Sequence, residues 1–232
     1  MADRVTPPFT LDMIVHCITH VCSPVFDVDI CTVMALKLGI HCLFRLCEMI
    51  KSKRTDHHLR TCDVTFVFRA AGGNVEFASA LLSREASISL LIQVIIFVRS
   101  AKNDFEGVGN KICIPVCEVS STTPFCIASD IFKFNLHARP LAAHPFLSWR
   151  GKWCYDVSFL NQAIKRTALL MNLNTAKYEA YSLRIAGASI LAAKGFSDYV
   201  IRKAGRWKSD SYLRYIRFSV ITHDEIAYAN RR

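Results

Sequence analysis

The chain has 232 residues, 52% hydrophobic and 21% charged, and its 29 Lys and Arg against 19 Asp and Glu leave a formal net charge of +10. A mean hydropathy of +0.24 and a pI near 9.2 fit one large domain or two small ones with a real core, and they favour a polyanionic partner held partly by counterion release. The longest apolar run, Ile88 to Val98, is interrupted by Ser89 and Gln93 and is too short to cross a bilayer.

Residues 1–24 hold Asp3, Arg4, Asp12 and two histidines where a secretory leader would be apolar. The reading is a soluble, intracellular protein with no membrane partner. Ten cysteines in a chain of this size and compartment read as reduced, buried thiols. Cys113 with Cys117, and His57 and His58 with Cys62, are the candidate soft ligands. Neither spacing makes a two-plus-two knuckle, so no metal is expected.

Residues 1–9 read as a flexible arm containing Pro7 and Pro8. Thr10 then caps a helix through Leu11, Ile14, Val15 and Ile18 that Ser23 and Pro24 break. A second helix starts at Asp27 or Asp29, and the helical pattern continues from His41 to Ile50. The basic stretch from Lys51 to Arg60 reads as an exposed loop, and Val64 to Phe68 as a strand before a turn at Gly72, Gly73 and Asn74. Residues 75–86 fit neither pattern. A strand at 88–98, a polar loop with Gly107 and Gly109, and a return strand at Lys111 to Val116 make a hairpin.

Residues 118–152, with Pro124, Pro140 and Pro145, read as irregular. Helices follow from Val157 to Met171, from Leu183 to Lys194 with Gly195 closing it, and from a Ser197 cap to Ala204. Ser209 or Asp210 caps a last helix from Ser211 to Phe218. No linker or repeat is visible. The fold class is therefore α+β and mainly helical: a helical bundle with a small antiparallel sheet, in one domain over residues 1–232 with a tail at 218–232.

The most informative residues are YSLR at 181–184 and GRWKSDSYLRYIR at 205–217. They gather an arginine, an indole donor and several tyrosines within about one helix-turn-helix unit. Metal-free phosphoryl transfer needs a hydroxyl nucleophile and fixed positive charge around the phosphate oxygens. The run resembles the C-terminal signature of the tyrosine recombinase (phage integrase) family, in wording closest to crypton and DIRS-type mobile elements.

That resemblance implies a full site. CLFRLCE at 42–48 looks like the family box LLRxSEL, which assigns Arg45 to the scissile phosphate and Glu48 to its support. An ordinary surface ion pair on a helix explains the same i,i+3 spacing. SAKNDFEGVG at 100–109 looks like the family's hairpin box, which makes Lys102 the proton donor to the leaving oxygen; a solvated hairpin lysine is the plain alternative. Arg184 takes the place of the second arginine. Tyr181 stands where many relatives have histidine, a departure that puts the proton-accepting step in question, because a phenol accepts protons poorly at neutral pH.

Trp207 fills a His or Trp slot as a donor to phosphate. Tyr215 is the implied nucleophile, with Tyr212 as its rival. About two helical turns separate Trp207 from Tyr215, which returns both to one side. Arg202, Lys203, Arg206, Lys208, Arg214 and Arg217 are the implied DNA-phosphate contacts, or else a solvated face.

The function implied is site-specific cleavage and rejoining of double-stranded DNA through a 3′-phosphotyrosyl intermediate, in a homotetramer, with no cofactor and no metal. Nothing in the sequence matches the family's N-terminal clamp, so the expectation is either a catalytic half alone or a clamp supplied elsewhere. Two alternatives stay open: strand relaxation like a type IB topoisomerase, and a decayed DNA-binding protein without activity. Nuclear residence follows only for a eukaryotic host, since Lys51 to Arg54 is too short to serve as an import signal.

Overall fold

A computed structural model describes residues 6–50, 58–79, 82, 86–99, 108–119, 125–139, 141–150 and 153–216. Lys102, Arg217, the cluster from Lys51 to Arg54 and the tail at 218–232 lie outside the described residues.

The helices are α1 (Leu11–His20), α2 (Asp27–His41), α3 (Leu46–Met49), α4 (Ile127–Ala138), α5 (Val157–Leu170), α6 (Tyr181–Ala193) and α7 (Asp198–Gly205). A sheet of four antiparallel strands runs in the order β2-β1-β3-β4, with β1 at Val64–Ala70, β2 at Gly73–Ala78, β3 at Leu91–Val98 and β4 at Asn110–Pro115. Two short strands, β5 (Ser148–Trp149) and β6 (Trp153–Cys154), pair separately. The fold is α+β with the helices in the majority.

Helix α2 is the axle. From Met34 to Ile40 every residue is buried, as expected of a helix that is apolar nearly all round. The exception in kind, Lys37, is neutralised by Asp130 of α4 at 2.8 Å and lies over the Phe125 ring at 4.4 Å. Helices α4, α5 and α6 all pack on α2. The sheet lays its Val64, Phe66, Val94 and Ile96 side chains into the same core, and Phe66 meets Phe132 of α4 edge-on with ring centroids 5.5 Å apart.

Local chemistry accounts for most boundaries. The Thr10 side chain accepts from the Met13 amide, and the Ser197 side chain accepts from the Val200 amide. The β1–β2 hairpin turns where Gly73 takes φ of 125°, which a side chain would oppose. The β3–β4 hairpin has the expected antiparallel register, from Gln93 opposite Pro115 to Val98 opposite Asn110.

Several expectations need correction. Phe9 belongs to the core, fully buried, and its amide donates to the Ser182 carbonyl at 3.2 Å, so it is no part of a flexible arm; residues 1–5 lie outside the described residues. Strand β2 takes in the first four residues of the stretch without a clear pattern and begins at Gly73, inside the expected turn. Residues 118–152 contain α4, whose Ile127, Ala128, Ile131, Phe132, Phe134, Asn135 and Ala138 form one buried face. Pro124 and Pro140 flank that helix without interrupting it, and a proline just past a C-terminus is a stop signal. The stretch 88–98 opens with a 3-10 turn at Ile88–Leu90 before β3 begins. The helical run from His41 to Ile50 is broken: α2 ends at His41, Leu43 takes a left-handed φ of 48°, and α3 restarts after Arg45. The last helix is a 3-10 turn, Asp210–Tyr215. Cys62, Cys113, Cys117 and Cys154 are exposed, so the thiols are not uniformly buried.

Helices α2 and α6 touch through glycine. A Cβ at Gly187 would stand 2.3 Å from the Ile40 carbonyl oxygen, whereas one at Gly39 would meet the movable end of Leu183 at 2.8 Å. Gly187→Ala should therefore lower unfolding free energy by about 1–3 kcal/mol, the usual range for overpacking, and Gly39→Ala by less. Urea denaturation of both variants checks the order; equal stabilities would contradict this packing.

Candidate active site

The break between α2 and α3 builds the centre of the site. Turning the chain left-handed at Leu43 frees the Cys42 and Leu43 carbonyls from helical partners and presents them sideways. Arg45 then stands at the N-cap of α3, with Glu48 three residues on. The Glu48 carboxylate accepts from the Arg45 amide at 2.9 Å and from Arg45 Nη1 at 2.5 Å. The acid half of a capping box thus also binds the cap residue's own side chain.

Two further arginines reach the same carboxylate. Arg206 donates from Nη2 to Glu48 Oε2 at 2.7 Å, and Arg184 Nη1 lies 4.0 Å from that oxygen. Both also grip the exposed turn: Arg184 Nη1 donates to the Leu43 carbonyl at 2.8 Å, and Arg206 donates to the Cys42 and Leu43 carbonyls, each at 3.0 Å. Arg184 Nη2 is bonded to the Gly205 carbonyl at 2.5 Å. The side chains of Glu48, Arg184 and Arg206 are 1%, 2% and 4% exposed. Three guanidinium groups against one carboxylate leave two positive charges in excess here among the described residues.

The protonation equilibria follow. Burial alone would raise the Glu48 pKa, but Arg206, the Arg45 amide and the Arg45 charge together hold it below the ordinary value. Arg184 is pushed down to about 10, by burial first and then by its neighbours Arg45 and Arg206. A group whose charge is disfavoured in this way gains most from an incoming anion.

The aromatic wall comes from the start of α6 and from the segment after α7. Arg206 closes α7 in the left-handed conformation with φ of 57°, a position more often held by glycine. Trp207 then folds back onto the helix end. Only a glycine fits beneath it, because a Cβ at Gly205 would lie 1.7 Å from the indole. The Arg184 guanidinium sits 4.4 Å from the Trp207 ring and 5.4 Å from the Tyr215 ring. Tyr215 in turn stacks against Trp207 at 4.9 Å and Tyr181 at 5.2 Å. Its carbonyl accepts from Ser189 Oγ of α6 at 3.3 Å.

Arg45, Glu48, Tyr181, Arg184, Trp207 and Tyr215 thus gather in one place. Tyr215 is half-buried at the edge of the cluster and Tyr181 is 48% exposed. The rival Tyr212 is buried against Trp207, and burial together with the Asp198 carboxylate raises its pKa. The two-turn argument for bringing Trp207 and Tyr215 together does not hold, since a left-handed residue and a 3-10 turn do it instead. Arg45 and Glu48 likewise pair across a cap and not along a surface helix.

The basic set divides. Lys203, Lys208 and Arg214 are exposed beside the site, and Arg202 pairs with Asp210 at 3.4 Å. Arg206 is not on that face. Its guanidinium is turned inward onto Glu48, so the structure gives it a place inside the cluster where the sequence suggested a surface contact.

No family model and no curated protein matches the sequence. Solved structures do. A XerH site-specific recombinase bound to palindromic difH substrate, a post-cleavage complex, superposes with a TM-score of 0.60 at 13% identity, over 95% of this chain and 51% of that one. The pre-cleavage complex with difH gives 0.55 at 13% identity, over 96% and 54%. The chain has the tyrosine recombinase fold. It spans about half the length of these recombinase chains. Within that fold, the arginines, Trp207 and Tyr215 come from α3, α6, α7 and the final turn, and Glu48 joins the first of these segments to the others.

Glu48 should dominate the acid limb of stability. Its folded pKa lies below its unfolded one, so its contribution is complete above the ordinary glutamate value near ~4.3 and drains away as pH falls through the folded value. Glu48→Gln should be less stable at pH 7 by about 3–5 kcal/mol, the usual cost of breaking a buried pair. The gap should narrow as the wild type is acidified. Urea midpoints between pH 7 and pH 3 test this, and parallel curves for the two proteins would contradict it.

Proposed function

We propose that the chain cleaves and rejoins double-stranded DNA by the chemistry of a tyrosine recombinase. One observation carries the reading: a buried cluster with two positive charges in excess stands beside a half-buried phenol whose ring is 5.4 Å from Arg184. A phosphodiester supplies the missing negative charge, and its charge grows as a pentavalent transition state forms. Fixed cationic donors in a water-poor pocket stabilise that state more than the ground state.

In this account Tyr215 Oη gives up its proton to solvent and attacks the scissile phosphorus as the 5′ oxygen departs, leaving a 3′-phosphotyrosyl bond. Arg45 and Arg184 hold the non-bridging oxygens, with Trp207 packed on Arg184 and offering its indole N–H to phosphate. Glu48 keeps the arginines oriented. Lys102, from the β3–β4 connection, protonates the departing oxygen. A 5′-hydroxyl from another strand reverses the step without loss of bond energy. Tyr181 stacks on Tyr215 and serves as a hydrogen-bond donor, since a phenol takes up protons poorly at neutral pH. Arg202, Lys203, Lys208 and Arg214, with Arg217, contact backbone phosphates around the site.

The sequence wording at 181–217 supports a mobile-element recombinase of crypton or DIRS type, acting as a tetramer on paired sites.

Covalent trapping tests the chemistry. A pool of nicked duplexes with randomised sequence around the nick, incubated with the protein and run under denaturing conditions, should yield a protein–DNA adduct. Tyr215→Phe should lose it by at least about a thousandfold, the scale on which removal of a nucleophile acts, while still binding duplex DNA. Tyr212→Phe should keep it. Wild-type protein that binds the pool and never forms an adduct would overturn the enzyme reading.

A further inference from the structure

A groove of about 450 Å³ opens between α1, α2 and α4, and none of the arginine-cluster residues lines it. Its lining includes Ile18, Met34, Phe134 and Cys22. Behind Cys22, its sulfur 3.8 Å away, lies Cys17. That is van der Waals contact between two sulfurs, with either one able to donate to the other. Cys17 is fully buried, and Cys22 is 9% exposed at the groove wall.

The backbone holds the pair together. The Val21 and Cys22 amides both donate to the Cys17 carbonyl, at 3.0 and 2.9 Å, so the chain curls over the end of α1 and brings the second cysteine back above the first. Disulfides require two Cα atoms about 4.4–6.8 Å apart with their Cβ vectors converging. The chain folds back on itself through those amide hydrogen bonds and brings the two sulfurs into contact, which is the juxtaposition a disulfide needs. The shared S–H also splits the two thiols: donation from Cys22 lowers the Cys17 pKa, and the same bond with burial raises that of Cys22. The thiolate is the reactive form.

We infer that Cys17 and Cys22 form a thiol–disulfide modification site that small hydroperoxides oxidise through the groove between α1, α2 and α4. One sulfur, as thiolate, attacks a peroxide oxygen and becomes a sulfenic acid as hydroxide leaves and takes up a proton. The second sulfur, giving up its proton, then attacks the first and displaces the sulfenic oxygen as water. Two thiols and one hydrogen peroxide give one disulfide and two waters, with two electrons passing from sulfur to oxygen. Among the described residues, exposed Cys62, Cys113 and Cys154 have no cysteine sulfur beside them and stop at forms that condense with whatever thiol they meet, whereas the exposed Cys117 donates its amide to the Cys126 sulfur at 3.3 Å and is the competing pair.

The test uses the wild-type chain, freshly reduced. After a graded dose of hydrogen peroxide, the protein is unfolded in an alkylating agent and digested with trypsin. No Lys or Arg lies between Val5 and Lys37, so Cys17, Cys22 and Cys31 fall in one peptide. At a dose near one equivalent, that peptide should lose two hydrogens and carry a single alkyl label, on Cys31. Dithiothreitol before alkylation should restore three labels. Three labels persisting while Cys62, Cys113 or Cys154 is oxidised would overturn the proposal, as would sulfinic acid at Cys17 or Cys22 without the cross-link.

Discussion

The Glu48 carboxylate lies against three guanidinium groups, and the segments that carry them are oriented by that contact. Arg45 approaches from the start of α3, Arg184 from the middle of the molecule on α6, and Arg206 from the end of α7. Without the acid, two buried cations and the partly exposed Arg45 would repel one another at short range. With it, they are drawn together yet remain under-neutralised. Such an arrangement is poor as a stabilising device, because buried ion pairs roughly break even against apolar packing. It makes sense as a receptor for an anion, held ready before the anion arrives.

Main-chain carbonyls complete what the carboxylate begins. The left-handed turn at Leu43 strands the last acceptors of α2, and Arg184 and Arg206 satisfy them. Local strain at one residue is thus offset by charge-assisted hydrogen bonds from two others. Glycine makes the approach possible from the other side, since Gly187 lets α6 lie against the end of α2 and Gly205 lets Trp207 cover Arg184. Among the described residues, the sheet, α4 and α5 contribute no side chain to the arginine cluster. They fix α2, and α2 positions the turn.

Much of this was legible from residue types. Alternating β-branched runs marked β1, β3 and β4, capping residues marked α1 and α7, and the 205–217 motif pointed to Trp207 and Tyr215 as neighbours. What escaped was whatever depends on the main chain. The carbonyls of Cys42, Leu43 and Gly205 leave no trace in side-chain identity, so the break after α2 and the inward turn of Arg206 could not be read. Arg206 looked like one more basic surface residue because its partner, Glu48, is 158 positions away. Helix α4 was obscured by prolines that delimit it. The closeness of Trp207 and Tyr215 was anticipated by an argument about α-helical turns that the 3-10 turn makes inapplicable.

The central claim is that Glu48 and Arg206 act as one unit that organises the arginine cluster. A double-mutant cycle measures it: Glu48→Gln, Arg206→Met and the combination, each compared with wild type by urea unfolding at pH 7. The account predicts a coupling of about 2 kcal/mol or more, because either single change removes the same buried contact, Arg206 Nη2 to Glu48 Oε2 at 2.7 Å. Effects that add to within about 0.5 kcal/mol, the tolerance for independent sites, would contradict it.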